Sequence, residues 1–246
     1  MAYECTDEID RLLSTTRAVR RRLDLDRPVP REVLRQCIHL ACFAPNASNG
    51  QDWRWIVVDD PDRRRAVADV YRRLVGPPVR QAKAAKAAAG DRAGARMSGT
   101  ILELADHLEQ VPVLVVPCFD VGAAARRYQM LLADPDPDPD PDLGGDAPAG
   151  GPTGGRADRA AMTSSMYASI YPAVWSFQLA LASRGLGSVL TTAHQGDQGA
   201  VAEVLGIPAD WDQTCLIPVA YLTGGDLARP ARRPVDEVLF WNGVGR

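Results

Sequence analysis

The sequence has no cysteine pair at C-x-x-C spacing, only three histidines and no apolar run long enough to span a membrane. Its five cysteines, Cys5, Cys37, Cys42, Cys118 and Cys215, are scattered and odd in number, so they cannot all pair within one chain. Free thiols fit a reducing, cytoplasmic setting. His39, His107 and His194 lie far apart and lack zinc-ligand spacing, so no metal site is expected. The opening run MAYECTDEIDRLL is acidic and carries no signal-peptide core, which again predicts a cytoplasmic protein away from membranes. A net charge of only −3 argues against nucleic acid as a partner. The glycine fingerprints of Rossmann and P-loop phosphate sites are missing, as is the G-x-S-x-G elbow of serine hydrolases. With no acid, base or metal signature, a cofactor is the expected carrier of the chemistry.

What is present has the balance of a globular protein: 246 residues, 46% hydrophobic and 24% charged. Helical periodicity is predicted over Thr6 to Leu13, with Thr6 as N-cap, and from Pro30 to near Pro45, with Val33, Leu34, Cys37, Ile38 and Ala41 as its buried stripe. Trp53 to Val58 predicts a central strand, closed by Asp59-Asp60-Pro61. Arg63 to Leu74 is helical again. Gly76-Pro77-Pro78 predicts a break followed by a mobile, Ala/Lys/Arg/Gly-rich surface stretch to about Gly99, then a helix over Ile101 to Leu108. Val111 to Val116 predicts a buried strand. Residues 134–158 are low in complexity, Asp-Pro alternation giving way to Gly, Pro and Ala, and predict a solvated insertion or mobile loop. Such repeats lack a folded loop to converge the aspartates on calcium. Met166 to Arg184 is apolar nearly all round and predicts a buried helix, with Trp53, Trp55 and Trp175 as core residues. A strand over Gly187 to Thr192, a short helix to Leu205 and a strand over Cys215 to Tyr221 complete an α/β or α+β alternation.

Three groups of residues carry candidate chemistry. The run Arg17-Ala-Val-Arg-Arg-Arg22 reads equally as a solvated face or as half of an anion site, and Arg229, Arg232 and Arg233 near the other end of the chain could converge with it on a phosphate. Ala44-Pro-Asn-Ala-Ser-Asn-Gly-Gln-Asp-Trp53 concentrates amide side chains in one turn, enough to hold a heteroaromatic ring by its edge.

Arg17-Ala-Val-Arg20, Pro45-Asn-Ala-Ser-Asn-Gly-Gln-Asp-Trp53, Gly185-Leu-Gly-Ser188 and Leu205-Gly-Ile-Pro208 follow one another in the order seen in nitroreductase-like flavoproteins, so nearly the whole chain resembles that family. Ser169-Ile-Tyr-Pro-Ala-Val-Trp-Ser-Phe177, Thr191-Thr192 and Trp241-Asn-Gly243 resemble an actinobacterial branch of it. The resemblance implies a single α+β domain over residues 1–246, with a mainly antiparallel sheet flanked by helices. It also implies an obligate homodimer with two FMN molecules at its interface. Arg17 and Arg20 match positions that contact the FMN phosphate and the flavin N1/O2 edge, and Arg232 matches a C-terminal phosphate-binding arginine. A cation at N1 would favour the reduced flavin, so Arg20 would raise its potential. Pro45, Asn46, Asn49 and Gln51 match the turn lining the flavin, while Thr191 and Thr192 match groups near N5. Two departures stand out: Ala18 replaces a usual serine, and Asp52 replaces a usual proline before the tryptophan. The Asp52 carboxylate is expected to point to solvent or to meet substrate.

The activity implied is ping-pong hydride transfer from NADH or NADPH, through FMN, to a small acceptor such as a nitroaromatic or quinone. Two other readings stay open: a flavin-dependent tailoring enzyme that desaturates or dehalogenates a metabolite, and a non-catalytic flavin-binding dimer that uses the acidic loop to engage a partner.

Overall fold

A computed structural model describes residues 7–133, 156–225 and 227–244. Five strands form its sheet: β1 (Trp53–Val58), β2 (Val113–Asp120), β3 (Leu186–Ser188), β4 (Trp211–Gln213) and β5 (Ile217–Tyr221). The strand order is β1-β2-β5-β3, with β4 also paired to β2, and every pairing is antiparallel. The helices are α1 (Asp7–Thr15), α2 (Arg31–Ala41), α3 (Pro61–Ala88), α4 (Arg92–His107), α5 (Val121–Ala133), α6 (Arg156–Ala182) and α7 (Gln198–Leu205). This is the α+β arrangement that the sequence predicts. Thr6 and residues 134–155 of the predicted insertion lie outside the described residues.

Strand β2 shows why the sheet sits between two helical layers. Successive strand side chains face opposite sides, and both sides of β2 are covered. Val113, Val115 and Phe119 join α2 and α6 in one apolar cluster, while Leu114, Val116 and Cys118 join α3, α4 and α7 in the other. Each fully buried aliphatic side chain contributes about 1.5–3 kcal/mol relative to exposure. Pro117 is tolerated mid-strand because β2 changes partner there, pairing with β5 over Val113 to Val115 and with β4 from Cys118 onward.

Three expectations are corrected. The strand over Trp53 to Val58 is an edge strand among the described residues, not a central one, and its four inner positions are only partly buried. The predicted break at Gly76-Pro77-Pro78 does not occur, and the stretch beyond it is helical: α3 continues to Ala88, and α4 starts at Arg92. Part of the clash between a proline ring and the preceding helical residue involves that residue's Cβ, which Gly76 lacks. Burial of Val67, Val70, Tyr71 and Val75 offsets the lost backbone bonds. Alanine, lysine and arginine are good helix formers, so few apolar residues mean exposure there, not irregularity. Gly90, at φ 77°, turns the chain between α3 and α4, and the Asp91 carboxylate caps α4 by accepting from the Gly94 N–H.

The third correction concerns Trp175, expected in the core: within this chain α6 is buried on one side only among its described side chains. Ile170, Ala173, Val174, Phe177, Ala180 and Leu181 are buried in the cluster formed with α2 and the sheet, whereas Trp175 is 41% exposed. Trp53 is buried and Trp55 stacks at a tilt on Phe177, so these two pack as predicted.

Candidate functional site

The arginine run lies along the open edge of β3. The Val19 N–H donates to the Ser188 carbonyl at 2.9 Å, and the Asp24 N–H donates to the Tyr221 carbonyl at 2.8 Å. Gly187 permits this close approach, since a Cβ there would come within 2.6 Å of Leu222 and 3.2 Å of Leu23 and Val19.

The structure sorts the four arginines of the run. Arg21 is paired with Glu103, and Arg22 donates to the carbonyls of Thr223 and Gly225. Arg17 and Arg20 have no carboxylate partner among the described residues. Arg17 is exposed and lines a cleft of about 410 Å³ with Thr16, Gln178, Ser183 and Ser188. Ala18 beside it is exposed. Arg20 is half-buried, with its Nη1 against the Met97 sulfur at 3.8 Å. Burial pushes the Arg20 pKa below the ordinary guanidinium value, and nearby Tyr71 opposes the shift. A cation removed from water without an anion is costly unless a ligand supplies one.

Thr191 and Thr192 follow β3. Thr191 pairs with Leu216 through both backbone bonds, at 3.0 and 2.7 Å, and its hydroxyl lies 3.1 Å from the hydroxyl of buried Tyr71. Thr192 is exposed. Arg20, Tyr71 and Thr191 therefore form one group, and its central member was not legible in the sequence because Tyr71 has the spacing of an ordinary core residue of α3. Tyr71→Phe should lower stability by about 1 kcal/mol through the lost hydroxyl pair. A urea midpoint equal to the wild type's would show that the pair contributes nothing.

The turn over residues 45–51 is built by its own amides. The Asn46 Oδ1 accepts the Gln51 N–H at 2.8 Å, the Gln51 Nε2 donates to the Asn49 Oδ1 at 3.2 Å, and the Ala47 N–H donates to the Ser169 Oγ of α6 at 3.1 Å. Ser48, Asn49 and Gln51 adopt φ of 51°, 47° and 53°. Such left-handed conformations are disfavoured for residues with a Cβ, by roughly 1–2 kcal/mol each, so surrounding contacts must hold them. Pro45, Asn49 and Gln51 are exposed and Asn46 is half-buried.

Asp52 does not point to solvent, which corrects that part of the expectation for it. Its side chain is 5% exposed and forms a bidentate pair with Arg127 of α5. A second crossing pair, Arg54 with Asp120 at 2.8 Å, lies beside it. The partner comes from α5, beyond β2, and the sequence does not reveal that Arg127, 75 residues on, is adjacent in space.

The two groups do not meet within one chain. Thr191, Leu216, Val116 and Ile56 lie in one row across the sheet, so Thr191 and Asp52 are three strand spacings and four residues apart, roughly 20 Å. Arg232 joins neither: it is exposed and donates only to its neighbour's carbonyl, on a C-terminal segment whose Trp241 is 80% exposed. No three histidine, cysteine or acidic side chains converge on a metal position among the described residues, and no helix among them is long and apolar enough to cross a membrane.

Comparison with known proteins bears on this geometry. A family model described as "Nitroreductase family" matches residues 13–221. No curated protein matches the sequence. Among solved structures, the chain is similar to a BluB-like flavoprotein from Clostridium difficile 630, at 18% identity over 97% of this chain and 100% of that one, with a TM-score of 0.63. It is similar to NfrA2 from B. megaterium, at 18% identity over 98% of this chain and 76% of that one, with a TM-score of 0.63. It is also similar to iodotyrosine deiodinase bound to FMN and 3-iodo-L-tyrosine, at 19% identity over 95% and 98% of the two chains and a TM-score of 0.62.

Proposed function

Because the chain belongs to the nitroreductase family, we propose that it is an FMN-dependent oxidoreductase that accepts hydride from NADH or NADPH and passes it to a small acceptor such as a nitroaromatic or quinone. The observation that carries this reading is Arg20: a half-buried guanidinium with no carboxylate partner among the described residues, beside a hydroxyl pair, suits an anionic heteroaromatic ligand. FMN, when bound, supplies two-electron transfer between donor and acceptor. Arg20 would stabilise negative charge at the N1/O2 edge, and Arg17, Arg232 and the Ala18 backbone would hold the phosphate. The Thr191 hydroxyl, steadied by Tyr71, and Thr192 would lie near N5. Pro45, Asn46, Asn49 and Gln51 would line the ring.

The separation of roughly 20 Å between Thr191 and Asp52 at the entrance of β1 favours a site shared between two copies. A homodimer would complete each site, with the arginine and threonine group from one copy and the turn from the other. Exposed Trp175 on α6 and Phe240 and Trp241 near the C-terminus are the apolar surface such a dimer would cover.

The test is an absorbance spectrum of the purified protein, followed by anaerobic addition of NADH or NADPH. Bound flavin bleached by either nicotinamide is the expected result, and protein that holds no flavin after reconstitution with FMN overturns the reading. Bound flavin that neither donor bleaches favours a tailoring desaturase or dehalogenase, or a non-catalytic flavin-binding dimer. The held Thr191 hydroxyl supports the tailoring alternative, since a donor at N5 influences one- against two-electron chemistry, and a deiodinase is among the similar folds.

A further inference from the structure

Asp52 stands where the resemblance leads one to expect proline, and it has acquired a partner. Its carboxylate takes both terminal nitrogens of Arg127, so β1's entrance is tied to α5. The Arg127 guanidinium lies directly over Gly50, where an added Cβ would overlap it. It thus covers the last turn before β1, in the stretch that contains the positive-φ residues Ser48, Asn49 and Gln51. Bonds inside the turn fix its shape only locally: Asn49 N–H to the Asn46 carbonyl, Gly50 N–H to the Ala47 carbonyl and Gln51 N–H to the Asn46 Oδ1. The far end is pinned to α6 through Ser169. Near β1 the backbone bond from the Asp120 N–H to the Asp52 carbonyl, at 2.8 Å, joins the same junction.

We infer that Asp52 and Arg127 are positioning residues that clamp the turn over residues 45–51 in its strained conformation and thereby set its affinity for the flavin. The clamp itself rests on geometry alone, and its effect on ligand binding rests on the FMN reading above. The clamp would act through the backbone: Asp52 faces Arg127, and Arg127 presses on Gly50. The clamp also explains why an aspartate suits this position, because a residue preceding proline is steered into extended conformations, whereas Gln51 sits at φ 53°.

The experiment measures two quantities on the full chain: hydrogen exchange at the amides of Asn49, Gly50 and Gln51, with β2 amides as internal control, and FMN affinity by fluorescence quenching. Asp52→Asn and Arg127→Gln should each speed turn exchange and weaken FMN binding by about tenfold, with β2 exchange unchanged. The double variant should be no worse than either single one, because both remove the same interaction. Gly50→Ala displaces the guanidinium without removing a charge and should do likewise, which keeps the test open should a charge variant misfold. Unchanged turn exchange in these variants overturns the clamp, as does additivity in the double variant. Faster exchange with unchanged FMN affinity overturns its role in binding. If the wild type binds no FMN, the functional reading has failed and exchange alone decides the clamp.

Discussion

Arg20→Leu is expected to raise the FMN dissociation constant by about 10- to 100-fold, the cost of one hydrogen bond to a charged group, and to leave the flavin-free fold no less stable. The two signs differ because of what Arg20 touches. Its guanidinium is half-buried against Met97 and near Tyr71 with no carboxylate among the described residues, so in the absence of ligand its charge is a desolvation cost with no return. Leucine keeps an apolar stem in that place and removes the cost. With ligand bound, the same charge would stabilise the electron-rich reduced flavin more than the oxidised one. Each factor of ten in that preference is about 30 mV for a two-electron couple, so the potential of the variant should fall by tens of millivolts. Arg20→Lys should restore part of the shift, since an ammonium keeps the charge but loses the planar fork. Urea unfolding of the flavin-free protein and a redox titration of the loaded one read the two effects separately. An unchanged potential in Arg20→Leu would remove the arginine from the flavin site.

The contrast between Arg20 and its neighbours shows what sequence patterning can and cannot carry. Arg17, Arg20, Arg21 and Arg22 are one basic run in the sequence, and nothing local distinguishes them. Only the fold brings Glu103 to Arg21 and the Thr223 and Gly225 carbonyls to Arg22, leaving the other two without a carboxylate partner among the described residues. Strand β1 was legible to the residue, from Trp53 to Val58, because β-branched and aromatic residues ended at an Asp-Asp-Pro turn. Its place at the edge was not legible, because strand order depends on pairings between distant segments. The alternation of β2's neighbours, like the Tyr71 to Thr191 hydroxyl pair across 120 residues, is of the same kind. Gly76-Pro77-Pro78 reads as a break for a different reason: local breaker chemistry carries no trace of the packing of Val75 and Tyr71 that outweighs it. Trp175 reads as a core residue because an apolar side chain is silent about which surface buries it, the core of its own chain or a second copy.

Lowering the pH from about 6.5 to about 4 is expected to cost roughly 3 kcal/mol of stability through one residue, His194. This histidine is 0% exposed, and neither of its ring nitrogens has a hydrogen-bond partner among the described residues. Burial holds its pKa down at about 4, against the ordinary 6.5. Above pH 6.5 the ring is neutral in both folded and unfolded chains, and its full contribution is present. Between the two values the unfolded chain takes up a proton that the folded chain refuses, so stability drops as pH falls, and below about 4 the loss is complete. The other histidines, His39 and His107, are exposed, and the nearby charges Arg73 and Asp197 face each other at 3.6 Å. Carboxylates held down by pairing, such as Asp59 beside Arg31, lose their contribution only below the ordinary carboxylate range. The interval from pH 6.5 to 4.5 therefore isolates His194. His194→Leu should flatten the slope there and, since no hydrogen bond is given up, leave stability at pH 7 equal or higher. Urea midpoints at half-unit pH steps for both proteins decide it: a slope that survives in His194→Leu, or a wild type that is flat over this interval, would mean that the buried ring is not what the acid attacks.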